Sequence, residues 1–271
     1  NDVESLKYFT SKIADLASDD GITFNGAYGY RWRNGRINGG RIDQLWYLAD
    51  HLQRVPTSRR AVLQMWNTQD DMYRIDTSKD VCCNLSVIFV IRNGCLDMTV
   101  TNRSNDLIWG MLGANYVHFT ILQEYMAARI GVKVGVYNHF TTNLHFYTER
   151  HPYSYLNDID NIYSFDADRY GMGLVSFLDS YVPVPLCKDL RTFDKELEVF
   201  VANNSKHTGL GGMYMEPFLQ TVAQPMMDVY HLYKAGNTAK AMEFCNSIKD
   251  MAWQYACREW LEVRANAKSG S

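Results

Sequence analysis

The run Lys79-Asp80-Val81-Cys82-Cys83-Asn84-Leu85-Ser86-Val87 sets a cysteine at the mouth of an apolar, β-branched stretch, and Asn102-Arg103-Ser104-Asn105-Asp106 places an arginine twenty residues after its second sulfur. A thiol and a guanidinium at such an interval are equipment for covalent chemistry on a phosphorylated substrate. The sulfur is a soft nucleophile, and the planar cation holds an anion through paired hydrogen bonds. Asn93-Gly94 stands between them. Asn-Gly is a strong hairpin signal, so Cys95–Asn102 is expected to lie antiparallel to residues 81–91, with Cys83 and Arg103 at the same end. A cation there is expected to lower the thiol pKa and to hold an anion.

Other residues carry weaker chemical signals. Asn115 stands at the start of a helix expected over 116–130 and ended by Gly131; its amide can cap the helix, the usual role at that position, or face a ligand. Strand alternation puts His145 and Tyr147 on one face, either as ligand contacts or as a buried polar pair satisfied inside the fold. Arg59-Arg60 opens a strand expected over 61–67, where two cations can grip a phosphate or simply stay solvated. Tyr28 belongs to Asn25-Gly26-Ala27-Tyr28-Gly29-Tyr30-Arg31-Trp32-Arg33, where glycines between aromatics suggest backbone packed on something flat, or an aromatic corner of the core.

The elements that must position these groups follow from periodicity. Apolar spacing of three and four predicts helices over 5–18 and over 40–52, the latter stopping before Pro56. A strand is expected around residues 134–137. Beyond Pro152 the chain becomes rich in Asp, Tyr and Pro, then gives a charged amphipathic helix over 191–200 and a joint at residues 203–212. Two helical stretches, 215–234 with an interruption at Pro225 and 238–263, are expected to form an αα-hairpin through Ala235-Gly236-Asn237. Methionines 213, 215, 226, 227, 242 and 251 read as packing filler. The expected class is α+β: a mixed sheet flanked by helices with a C-terminal helical hairpin. Residues 1–152 read as a catalytic core, 153–212 as its completion and connection, and 213–271 as the hairpin.

Composition narrows the partners. With 271 residues, 46% of them apolar, the chain can bury a sizeable core, and a net charge of −3 gives no global basic field. Neither nucleic acid nor a membrane is expected as partner, and no leader is recognisable, so a cytoplasmic protein is expected. Six cysteines without a CxxC pair predict reduced thiols and no metal site.

Taken together, Tyr28-Gly29-Tyr30-Arg31-Trp32-Arg33, Ser58-Arg59-Arg60, Cys83, Arg103-Ser104-Asn105-Asp106, Asn115 and Leu144-His145-Phe146-Tyr147 resemble the thymidylate synthase superfamily, which includes the phage pyrimidine-nucleotide hydroxymethylases. The resemblance implies that Cys83 adds to C6 of a pyrimidine nucleoside 5′-monophosphate and thereby activates C5 toward the one-carbon unit of 5,10-methylenetetrahydrofolate. It places Tyr28 and Asp106 with Cys83 in the catalytic set. Arg103 and Ser104 would hold the 5′-phosphate, and His145 and Tyr147 the sugar 3′-hydroxyl. Arg59 and Arg60 would reach the phosphate of the second subunit of a homodimer with shared active sites. The interval to Arg103 selects Cys83 over Cys82 as nucleophile, with Cys82 a buried small residue.

Asn115 bears on the base, because an amide can donate to O4 and accept from N3–H of uracil. The hydroxymethylases of deoxycytidylate resemble this chain but place an aspartate there. The match needs one extra residue between Gly110 and Asn115. Other departures point to product: Ile13 and Leu16 stand where synthases carry folate-walling tryptophans, Asn84 stands where they carry histidine, and the family's apolar C-terminal cap has no recognisable counterpart. A wetter site lets water add to the methylene, so the expected activity is hydroxymethylation of deoxyuridylate, with thymidylate synthesis, cytidylate hydroxymethylation and non-catalytic nucleotide binding as alternatives. The sequence is expected to begin after the family's N-terminal arginine loop and proton-organising glutamate.

Overall fold

The computed structural model describes residues 2–10, 14–15, 17–18, 20–147, 181–205 and 211–269. The chain divides into two compact units, Asn1–Tyr147 and Thr148–Ser271. Ile13, Leu16 and most of the predicted connecting segment, 153–212, lie outside the described residues.

In the first unit α1 (Val3–Lys7) and α2 (Tyr28–Arg33) precede a small hairpin of β1 (Gly35–Ile37) and β2 (Gly40–Ile42). The helix expected from residue 40 therefore starts later, as α3 (Gln44–Arg54). Its first turn is fixed by Asp43, whose carboxylate accepts the Trp46 N–H at 3.0 Å, so Gly40–Ile42 is free to pair with β1. Leu45, Leu48, Ala49 and Leu52 form the buried stripe of α3.

The main sheet has the order β3 (Ala61–Gln64), β4 (Asn84–Arg92), β5 (Cys95–Asn102), β7 (Lys133–Thr141). The expected β4–β5 hairpin is present, with Arg92 opposite Cys95 and positive φ at both Asn93 (51°) and Gly94 (74°). Two such residues give the turn whose twist matches the strands. After β5 come β6 (Asn105–Asp106), a wide turn over Leu107–Ala114, and α5 (Asn115–Ile130), which Gly131 ends at φ 85°. The chain then returns as β7, parallel to β5, and β8 (Leu144–His145), parallel to β6. Antiparallel and parallel pairings in one sheet under helices make the unit α+β.

Leu52 of α3, Leu63 of β3, Val87 and Phe89 of β4, Leu96, Met98 and Val100 of β5, and Phe119 and Met126 of α5 are all fully buried. Gln123 of α5 is buried among them because the β5–β7 register slips between Leu96 and Met98. Its amide donates to Leu96 O (2.8 Å) and Val136 O (3.2 Å), satisfying carbonyls the ladder misses. Beneath α2, Arg31 forms a forked pair with Asp71, at the end of the one-turn α4 (Thr68–Asp71), both contacts at 2.7 Å. Arg31 also donates to Asn25 O and Met65 O, and Asp71, fully buried, also accepts the Asn67 N–H.

The described part of the second unit is helical: α6 (Leu190–Ser205), α7 (Gln224–Lys234), α8 (Thr238–Phe244) and α9 (Met251–Ser269). The predicted interruption at Pro225 is a wide turn, Leu219–Ala223, leading into α7. Proline cannot donate to the carbonyl four residues back. That carbonyl, Thr221 O, instead accepts the Lys249 N–H at 2.9 Å. The expected α7–α8 turn is present, with Gly236 at φ 82°. The second stretch, expected to run unbroken to 263, is broken before α9 because buried Asp250 accepts Ala252 N–H, Trp253 N–H, Val184 N–H and the Tyr181 hydroxyl. Met226 and Met242 pack on the core of Val222, Val229, Leu232, Ala241 and Leu261. Met213 and Met215 do not, being 97% and 84% exposed. No helix of the described residues is long and apolar enough to cross a membrane.

Candidate active site

Cys83 and Arg103 flank the open end of the β4–β5 ribbon, joined by the Arg103 N–H to the Cys83 carbonyl at 2.9 Å. Arg103 Nε donates to Cys82 O (3.1 Å) and Nη2 to Val81 O (2.8 Å). Two contacts to the loop that carries Cys83 leave further guanidinium N–H groups for an anion, and no carboxylate among the described residues forms an ion pair with it. The thiol differs from expectation. Burial pushes the Cys83 pKa up, more than Arg103 pulls it down, and Asp80 pushes it up further. Sequence spacing conveyed the distance to the cation but not the desolvation.

Cys82 is only 1% exposed and its pKa is pushed up to about 12, again mainly by burial. Its Sγ lies 3.1 Å from the Asn84 carbonyl. Tyr28 stacks obliquely on Phe119 (5.6 Å between centroids), and burial followed by the two neighbouring sulfurs raises its pKa. Asp80 accepts the Gly26 N–H at 2.7 Å, and a Cβ on Gly26 would stand 2.5 Å from its Oδ1, so the glycine permits the contact. Asn84 donates to Asn102 Oδ1 (2.7 Å) and Thr101 O (3.0 Å), giving the site a buried polar floor.

The parallel β6–β8 pairing sets Asp106 opposite His145. Ser104 Oγ lies 3.4 Å from His145 Nδ1, and the His145 ring meets Tyr147 edge-on at 4.8 Å. Tyr147 is 46% exposed, so this is not the buried polar pair of the alternative reading. Asp106 caps the wide turn, one oxygen accepting the Trp109 N–H at 2.5 Å; its other oxygen is buried without a hydrogen-bond partner among the described residues. Asn115 does not cap α5. The wide turn runs into the helix, the Asn115 N–H bonds to Gly110 O, and the side chain donates to Asn105 Oδ1 at 2.8 Å.

Arg59 and Arg60 are exposed and are not brought to this site. Ala61 pairs with Phe89, so the arginines sit near the hairpin end of β4, on the order of 20 Å from Cys83 at about 3.3 Å per residue. A cavity of about 460 Å3 lies beside β1 and β2, lined by Arg31, Arg36, Arg41 and Arg74 among others. None of the predicted site residues lines it. No group of three or more metal-ligating side chains occurs among the described residues. Sequence reasoning missed Asp80, Asn105, Tyr137 and His139; the last two could have been found by the alternation that paired His145 with Tyr147.

The nucleophile and cation at one strand end, and the hydroxyl, imidazole and amide groups on and beside the adjoining two-stranded pair, all lie within residues 1–161, which match the thymidylate synthase family; the chain belongs to it. The deoxyuridylate hydroxymethyltransferase of Pseudomonas phage M6 is 37% identical over 98% of this chain and 74% of its own length. That of Bacillus phage SP01 is 39% identical over 56% of this chain and 41% of its own length. A solved thermostable thymidylate synthase A from Bacillus subtilis is 29% identical with a TM-score of 0.45, covering 60% of this chain and 54% of that one.

The direction of each influence on Cys83 yields a test. Asp80→Asn removes a neighbour that raises the thiol pKa, so thiolate forms at lower pH and the acid limb of alkylation at Cys83, followed by mass mapping with iodoacetamide, moves to lower pH. Arg103→Gln removes the neighbour that lowers it and moves the limb the other way. Shifts of the opposite sign would show that these groups do not act on the sulfur.

Proposed function

We propose that this chain is a folate-dependent C5 hydroxymethyltransferase of deoxyuridylate. The observation that carries the reading is similarity to a phage deoxyuridylate hydroxymethyltransferase across 98% of the chain, covering both units, together with the Cys83–Arg103 pairing that such chemistry needs. Arg103 and Ser104 hold the 5′-phosphate, His145 and Tyr147 the 3′-hydroxyl, and Asn115 the uracil edge. Cys83 Sγ adds to C6, and the electron pair of the C5–C6 bond moves to C5, a poor carbon nucleophile until then. Arg59 and Arg60, exposed at the far end of β4, serve the phosphate of the second subunit in a homodimer.

The residues present fit a folate. Asp106 offers one buried carboxylate oxygen without a partner among the described residues, suited to the N–H donors of a pterin, beside the exposed apolar side chains of Ile108, Trp109 and Leu112. Methylenetetrahydrofolate, when bound, supplies the one-carbon unit. This chain's task is then to admit water to the methylene at C5. Deoxyuridylate, tetrahydrofolate and formaldehyde incubated with the protein are expected to give the hydroxymethyl nucleotide by mass, with no dihydrofolate absorbance. Appearance of dihydrofolate would mean methyl transfer and overturn the reading.

A further inference from the structure

Behind Asn115 a chain of side chains runs across the fold. Asn115 Nδ2 donates to Asn105 Oδ1 (2.8 Å), Asn105 Nδ2 stands 3.3 Å from His139 Nε2, and His139 Nδ1 stands 2.9 Å from the Tyr137 hydroxyl. Asn105 is 3% exposed, and Gly110 passes so close that a methyl group there would run into Asn105 Oδ1. Phe119 and Tyr137 meet the imidazole edge-on. None of these three groups belongs to the residues assigned above to substrate.

An amide reads a pyrimidine according to which way it is turned. Uracil offers a donor at N3 and an acceptor at O4; cytosine offers an acceptor at N3 and a donor at N4, so the same amide must be reversed to match it. In the arrangement seen here, Asn105 Oδ1 faces the Asn115 amide and accepts from it. Reversing Asn115 alone would set two carbonyl oxygens against each other. Reversing Asn105 as well would turn its oxygen toward His139 Nε2, which must then carry the proton, and the Tyr137 hydroxyl would have to change from acceptor to donor. Burial lowers the His139 pKa, so the ring stays neutral near pH 7 and only one nitrogen donates at a time.

We propose that Asn105, His139 and Tyr137 are positioning residues that hold the Asn115 amide in the sense that matches uracil and opposes cytosine. The inference rests on the proposed reading of Asn115 as the base contact. It assigns base choice to a four-residue relay rather than to Asn115 alone. The Asn115 carbonyl oxygen has no hydrogen-bond partner among the described residues, which leaves it as the acceptor for uracil N3–H.

The test is the ratio of dissociation constants for deoxyuridylate and deoxycytidylate, measured by equilibrium dialysis on the full chain and on two variants. Asn105→Ala frees the Asn115 amide to turn and is expected to reduce the preference for deoxyuridylate on the order of tenfold, the worth of about one hydrogen bond. Tyr137→Phe removes only the acceptor that keeps the imidazole proton on Nδ1 and leaves the packing intact; it should reduce the ratio in the same direction by less. A merely structural role weakens both nucleotides alike and leaves the ratio unchanged, and an unchanged ratio in both variants overturns the inference. Because binding is read without turnover, a chain that shows the ratio change yet makes no product sinks the proposed reaction alone. A chain that makes product with the ratio unmoved sinks this inference alone, and failure of the unmodified chain to bind either nucleotide sinks both.

Discussion

Cys83→Ala is expected to abolish tritium release from C5-labelled deoxyuridylate, by on the order of 10⁴-fold or more, while the nucleotide still binds. Losses of that size follow when a reaction through a covalent adduct loses its nucleophile. Binding survives because the phosphate, sugar and base contacts proposed for Arg103, Ser104, His145, Tyr147 and Asn115 do not pass through the sulfur. Cys82→Ala is the informative contrast. That side chain is buried and its thiol is pushed up to about 12, so its loss is expected to lower stability by roughly 1 kcal/mol, as small core truncations do, and to leave exchange in place. Exchange that persists in Cys83→Ala and disappears in Cys82→Ala would reverse the assignment.

The second large effect is on stability. Asp71→Ala is expected to destabilise the first unit by about 3–5 kcal/mol, since it strands a mostly buried guanidinium without its counter-charge. The Arg31 side chain is 11% exposed and the Asp71 side chain 0%, so neither can turn to water for compensation. The loss extends further than one pair, because Asp71 also accepts the Asn67 N–H and Arg31 ties down Asn25 O and Met65 O. Replacing both partners with apolar residues of similar volume should cost far less than removing one. Urea titration of the two variants provides the measurement; equal midpoints for single and double replacement would contradict this account.

Local chemistry made part of this fold legible and tertiary context hid the rest. The β4–β5 ribbon was readable because Asn93 and Gly94 both accept positive φ, and that turn alone brought Cys83 to Arg103. The start of α3 was misread because residues 40–42 continue its apolar pattern while their backbone pairs with β1. The break before α9 was invisible because Asp250 is buried by partners as distant as Tyr181 and Val184. Asn115 looked like a cap because a glycine-rich lead usually ends in one. Here the lead is itself a wide turn capped by Asp106, so the first N–H groups of α5 are already engaged. The raised thiol pKa could not be read either, since burial is a property of the assembled unit.

The turn between Asp106 and α5 also constrains how such a protein can change. It closes on a hydrogen bond from the Asn115 N–H back to Gly110 O, five residues away, one more than an ordinary helical turn spans. Each residue of an α-helix advances the chain by roughly 100°. Five residues in the wide turn sweep about the same angle as four in an ordinary helical turn, so losing one codon between Gly110 and Asn115 would restore the ordinary pitch and leave the Asn115 side chain at about the same bearing. The stretch between Asp106 and α5 is therefore one that can shorten by a residue without turning the Asn115 side chain away from Asn105.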